Sequence, residues 1–121
     1  MKIKEALELI KQKYPIREKI DDFAEIVVDK MLNRFSYYYI AIHEEDGKCY
    51  LNDLANTCDA IALSEEEIKQ ICEKHNVSFD DWHLSLEYEN VDSVEKLIAC
   101  IDEIVEEYKK LNNPIKILHR K

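Results

Sequence analysis

Cys72-Glu73-Lys74-His75 places a thiol and an imidazole three residues apart. On a helix that spacing turns both toward one side, where they could share a metal. A closed zinc site needs two further ligands, usually as a second pair. His43, Cys49, Cys58 and His83 are scattered singles. The spacing therefore favours Cys72 as a small core residue and His75 as a cation at a helix C-terminus. Carboxylates are the second source of chemistry. Asp80-Asp81 precede a strand that carries Glu87 and Glu89, and Asp102, Glu103, Glu106 and Glu107 project from a helix. Two such groups can perform acid–base work or hold a divalent cation. A strand-borne nuclease pattern needs a lysine two residues past the carboxylate, but Glu89 and Val91 stand there. For thiol catalysis, Cys49 or Cys58 would need His43 beside it, and strand parity sends Cys49 and His43 to opposite faces. The single glycine, Gly47, excludes a phosphate-cradling loop, a dinucleotide fingerprint and a nucleophile elbow. No catalytic, metal or cofactor site is expected.

Aromatic residues offer binding instead of reaction. Tyr37-Tyr38-Tyr39-Ile40-Ala41-Ile42-His43 is strand-prone, and Asp46-Gly47 is a two-residue hairpin turn. That turn sets Glu45 opposite Lys48, His43 opposite Tyr50 and Ile42 opposite Leu51. Tyr38, Ile40, Ile42, Cys49 and Leu51 then form a core face. Tyr37, Tyr39, Ala41, His43, Tyr50 and Asn52 form the other. Tyrosine brings contact area with little rotamer loss and a polar tip. Tyr37, Tyr39, His43 and Tyr50, with Asp80, Asp81, Glu87 and Glu89, are the candidate partner-binding residues. The alternative is that the N-terminal helices cover the tyrosines as a second core.

The elements that would position this face follow from periodicity. Ile3, Ala6, Leu7 and Ile10 predict a helix over residues 2–13, ended by Tyr14-Pro15. Ile16, Ile20, Phe23, Ala24, Val27 and Met31 predict a second helix over 16–34, widened by Ile26, Val28 and Leu32. After the hairpin, residues 53–63 read as a loosely helical connection. Ser64-Glu65-Glu66-Glu67 is a capping box opening a helix to about His75, and Asp92 with Glu95 is another. Trp82, Leu84, Leu86 and Tyr88 alternate with His83, Ser85, Glu87 and Glu89 as a strand. Val94, Leu97, Ile98, Ile101, Ile104, Val105 and Tyr108 mark the last helix. The expected fold is α+β: a three-stranded, mainly antiparallel sheet with a β-hairpin, packed against about four helices in the order α-α-β-β-α-β-α. One domain spans 1–121, comprising a helical pair at 1–34, an α+β core at 35–111 and a basic tail at 112–121.

Charge is unevenly distributed over the chain. Residues 35–108 carry 19 Asp/Glu against 4 Lys/Arg, a net of -15, within a total of -9. Residues 109–121 carry five basic residues and no acidic ones. A field of that sign attracts basic surfaces and repels nucleic acid and anionic lipid. With 46% hydrophobic and 36% charged residues the chain reads as globular. Without a membrane span or signal segment it reads as cytoplasmic, with reduced thiols.

Tyr39-Ile40-Ala41-Ile42, then Asp46-Gly47-Lys48-Cys49-Tyr50-Leu51-Asn52-Asp53-Leu54-Ala55-Asn56-Thr57, resembles the prokaryotic and phage family catalogued as domain of unknown function 1828. That pattern runs strand, D-G turn, strand ending L-x-D-x-G-x-T, helix, strand and amphipathic helix. It covers about residues 35–111 and departs at Ala55, where the family tends to have glycine. The resemblance implies a prokaryotic or phage cytoplasmic protein and no particular activity. It highlights Asp53 and Thr57, whose ordinary use is turn and capping chemistry. The composite expectation is a non-enzymatic acidic module that docks on a basic protein surface. An inhibitor, immunity or antitoxin-like protein, or a nucleic-acid mimic, would have that character. The alternatives are a metal-dependent hydrolase built on Asp53 and Glu87, and a structural homo-oligomer such as a dimer through the last helix or the tyrosine face.

Overall fold

The computed structural model describes residues 2–20 and 22–111. Helix α1 (Ile3–Ile10) buries the expected stripe of Ile3, Ala6, Leu7 and Ile10. The second expected helix is absent. In its place β1 (Ile16–Ile20) and β2 (Phe23–Met31) form an antiparallel hairpin, with Ile16 opposite Ile26 and Ile20 opposite Phe23. Ala24, Ile26 and Val28 point into the core with period two. The β-branched run Ile26-Val27-Val28 favours extended backbone. The apolar positions of this segment satisfy both periods, and pairing with the next strand selects the strand.

Strands β3 (Tyr37–Glu45) and β4 (Lys48–Asn52) hold the predicted register, including Ile42↔Leu51, His43↔Tyr50 and Glu45↔Lys48. Asp46 and Gly47 take φ of 51° and 77°, the signs a type I′ turn requires. Helix α2 (Asn56–Ala60) follows, then α3 (Glu65–Lys74). Ser64 caps α3 as expected. Its Oγ accepts from the Glu67 N–H at 3.2 Å and donates to Glu67 Oε1 at 2.9 Å. A strand not anticipated, β5 (Ser78–Asp80), pairs with β6 (His83–Glu87). Trp82 is therefore not a strand residue. Asp81 and Trp82 form a two-residue turn with φ of 49° and 66°. Helix α4 (Val91–Leu111) ends the described chain. Its cap lies two residues earlier than predicted: Asn90 Oδ1 accepts from the Asp92 N–H at 2.9 Å. The basic tail at 112–121 lies outside the described residues.

The sheet is thus six-stranded, not three-stranded, with order β1-β2-β3-β4-β6-β5 and every pairing antiparallel. One core joins its inward face to the helices. Tyr38, Ile40, Ile42, Cys49, Leu51 and Leu84 meet the stripes of α1, α3 and α4 there. The Tyr38 hydroxyl donates to Asp102 of α4 at 2.6 Å, and Lys30 donates to the same carboxylate at 2.9 and 3.0 Å. No described helix is long and apolar enough to cross a membrane.

Candidate docking face

Strand parity assigns the residues that turn away from the helices. They are Arg17, Glu25 and Val27 from the first hairpin, Tyr37, Tyr39, Ala41, His43 and Glu45 from β3, and Lys48, Tyr50 and Asn52 from β4. Ser78, Asp80, His83, Ser85 and Glu87 complete the face from β5 and β6. None of these belongs to the core cluster among the described residues. Helix α1 packs on the opposite face, so the tyrosines are not roofed by an N-terminal helical pair. Tyr37 is 61% exposed; Tyr39, His43 and Tyr50 are half-buried. The His43 and Tyr50 rings stack with centroids 5.7 Å apart. Glu25 is buried beneath a bidentate Arg17, at 3.1 Å to Nε and 2.7 Å to Nη2.

The acidic candidates divide. Asp80 and Glu87 lie on this face, and Glu87 stands 3.9 Å from Lys48. Asp81 sits in the β5–β6 turn. Glu89 leaves the sheet altogether, following buried Tyr88 and donating its backbone N–H to Ser93 Oγ at 3.0 Å. After the Arg17–Glu25 and Lys48–Glu87 pairs are set aside, Asp46 and Glu45, the latter 3.8 Å from His43 Nε2, remain at one end and Asp80 and Asp81 at the other. The face is an aromatic centre with acidic ends.

Residues that sequence periodicity did not single out gather at one of those ends. The β2–β3 loop, the β4–α2 loop and the β5–β6 turn lie side by side there. Asn56 Nδ2 donates to the Tyr37 carbonyl at 3.0 Å, and Asn33 Nδ2 to the Ala60 carbonyl at 3.0 Å. His83 Nδ1 lies 3.0 Å from Asn52 Oδ1, which also accepts from the Leu54 N–H at 2.6 Å. Phe35, Leu54 and Trp82 are exposed along this rim. The β5–β6 pairing and its turn are what move Trp82 out of the expected core.

Asp53 organises the rim from beneath. Its carboxylate is fully buried and accepts from the backbone N–H groups of Ala55 at 3.0 Å, Leu84 at 2.9 Å and Thr57 at 3.2 Å. Burial raises its pKa above the ordinary value, against the opposing pull of those donors. Asp53 is thereby a structural clamp, its carboxylate engaged by three backbone donors and shut off from solvent. Among the described residues no three His, Cys, Asp or Glu side chains come together as a metal site. The Cys72-x-x-His75 pair is divided: Cys72 Sγ lies 3.9 Å from Cys100 Sγ, and His75 Nε2 lies 2.9 Å from Glu103 Oε1. All four cysteines are thiols. Burial pushes Cys49 up and Cys58 up to about 12, which disfavours the nucleophilic thiolate.

No protein-family model, no curated protein and no solved structure matches this chain.

Proposed function

We propose that this chain is a non-enzymatic protein-binding module whose uncovered sheet face docks on a cationic surface of another protein. The supporting observation is the one-sided helix packing, which leaves Tyr37, Tyr39, His43 and Tyr50 on a broad six-stranded face between acidic ends. Aromatic side chains held by a rigid sheet lose little entropy on contact, and carboxylates at the ends select a basic partner. Blocking a basic nucleic-acid-binding groove is one use that fits this chemistry. The setting we propose for such a partner is prokaryotic or phage, as the sequence resemblance implies.

Affinity capture from a prokaryotic lysate tests the reading, using the native chain beside a Tyr37→Ser/Tyr50→Ser variant. Basic proteins retained by the native chain at low salt, and lost both by the variant and at high salt, are the expected result. Equal retention by the two chains, or none by the native one, refutes the docking face.

A further inference from the structure

We infer that the partner is gripped at the three-loop rim, by an element that presents apolar side chains flanked by arginine or lysine. The inference rests on the docking-face reading and narrows it to one end of the sheet.

Four large hydrophobic side chains stand exposed at this end: Phe35 at 89%, Tyr37 at 61%, Leu54 at 45% and Trp82 at 41%. The other exposed large hydrophobics among the described residues are dispersed: Leu9 on α1, Ile20 on β1, Met31 on β2 beside Val105 of α4, and Leu111 on α4. Single exposed apolar residues are normal on a surface, whereas several on loops that hydrogen bonds tie side by side point to an interaction site. The backbone holds the set outward. Leu54, Ala55, Asp81 and Trp82 all take positive φ, a conformation that costs free energy for residues with a Cβ. Leu54 is 45% exposed, so little core packing offsets that cost there; Trp82 packs edge-on against Phe79, ring centroids 5.8 Å apart, and still leaves 41% of its surface to solvent. The Asn33, Asn52 and Asn56 hydrogen bonds tie the loops together, so binding would order little that is not already ordered.

Charge selects the occupant. Asp80 and Asp81 flank Trp82 without an ion pair among the described residues. A guanidinium or ammonium group would find both carboxylate and indole face there. Anionic lipid and nucleic acid would meet the same two carboxylates as repulsion. A second copy in two-fold contact would bring its own Asp80 and Asp81 against them. A cationic, partly apolar segment of a different protein is the complement that remains.

Trp82 is the chain's one tryptophan and therefore reports on the rim directly. The isotope-labelled full chain is titrated with a peptide of alternating arginine and leucine, and with a glutamate–leucine peptide as control. The expected result is a saturable blue shift of Trp82 emission, with amide shifts at residues 33–37, 52–56 and 80–83. Affinity should fall roughly tenfold or more at high salt, and by a similar factor in a Phe35→Ser/Leu54→Ser variant. These exposed positions leave the core intact. Shifts confined to His43, Tyr50 and Glu87 would sink the rim while leaving the docking-face reading standing. Shifts at Glu65–Glu67, an equal response to the glutamate peptide, or no response would each overturn the inference.

Discussion

Three backbone N–H groups converge on the Asp53 carboxylate, from Ala55 in the turn it precedes, Thr57 in the first turn of α2 and Leu84 of β6. Replacing it by asparagine keeps one acceptor oxygen but turns an amide N–H₂ toward a backbone donor. Asp53→Asn should therefore lower stability by about 2 kcal/mol, measured by urea unfolding, since a buried donor left unmatched costs its desolvation. The next turn residue makes the opposite prediction. Ala55 has a φ of 65°, where a Cβ is strained. Relief of that strain is worth about 1–2 kcal/mol, and glycine's freer unfolded chain takes back about 0.4–1 kcal/mol. Ala55→Gly should raise stability by about 0.5–1 kcal/mol in the same assay. A loss would mean that the alanine methyl makes a packing contact worth more than the strain.

Between elements, the α3–α4 contact is closed by one carboxylate. Glu103 of α4 accepts from Lys74 at 2.7 Å and lies 2.9 Å from His75, both at the C-terminal end of α3. The bonds to Lys74 and His75 hold its pKa below the ordinary carboxylate value. A depressed folded value means the unfolded chain binds more protons in the interval between the two values. Glu103 thus adds stability above its unfolded pKa, and that contribution disappears as pH falls through the folded value. Thermal melts across the acid range should show Glu103→Gln with a lower melting temperature near neutrality and a shallower acid limb, converging on the native chain at the acid end. Parallel limbs would show that the contact is mere proximity. Such contacts were partly legible before any coordinates. The stripes of α1, α3 and α4 follow a single period, and Asp46-Gly47 fixes a register that strand alternation then propagates. Residues 16–31 were misread because Ile16, Ile20, Ala24 and Val27 satisfy the helical period while Ala24, Ile26 and Val28 satisfy the strand period. Only pairing with β3 decides between them. The rim was illegible for a different reason. Phe35, Leu54 and Trp82 have no periodicity to betray them, and their common location follows from long-range strand order.

Across the whole molecule, the sign of the response to salt distinguishes two distributions of the same charge. Among the described residues, Lys13, Arg17, Lys30, Lys48, Lys74 and Lys109 each hold a carboxylate. Asp46, Asp59, Glu65, Glu66, Asp80, Asp81 and Glu89 are exposed and form no such pair there. Glu65 and Glu66 gain from the N-terminal end of the α3 dipole, which salt also screens. The remaining carboxylates repel one another in a chain of net charge -9. If exposed pairs dominated, screening would weaken the fold. If repulsion dominates, screening strengthens it, and surface pairs are individually worth too little to reverse that. The melting temperature should therefore rise by ~2–4 °C between ~0.02 and ~0.3 M sodium chloride. Over the same range, attachment of a cationic partner to the aromatic face should weaken. A fold that loses stability with salt would mean that the carboxylates are matched, and a matched surface has no surplus field with which to select a basic partner.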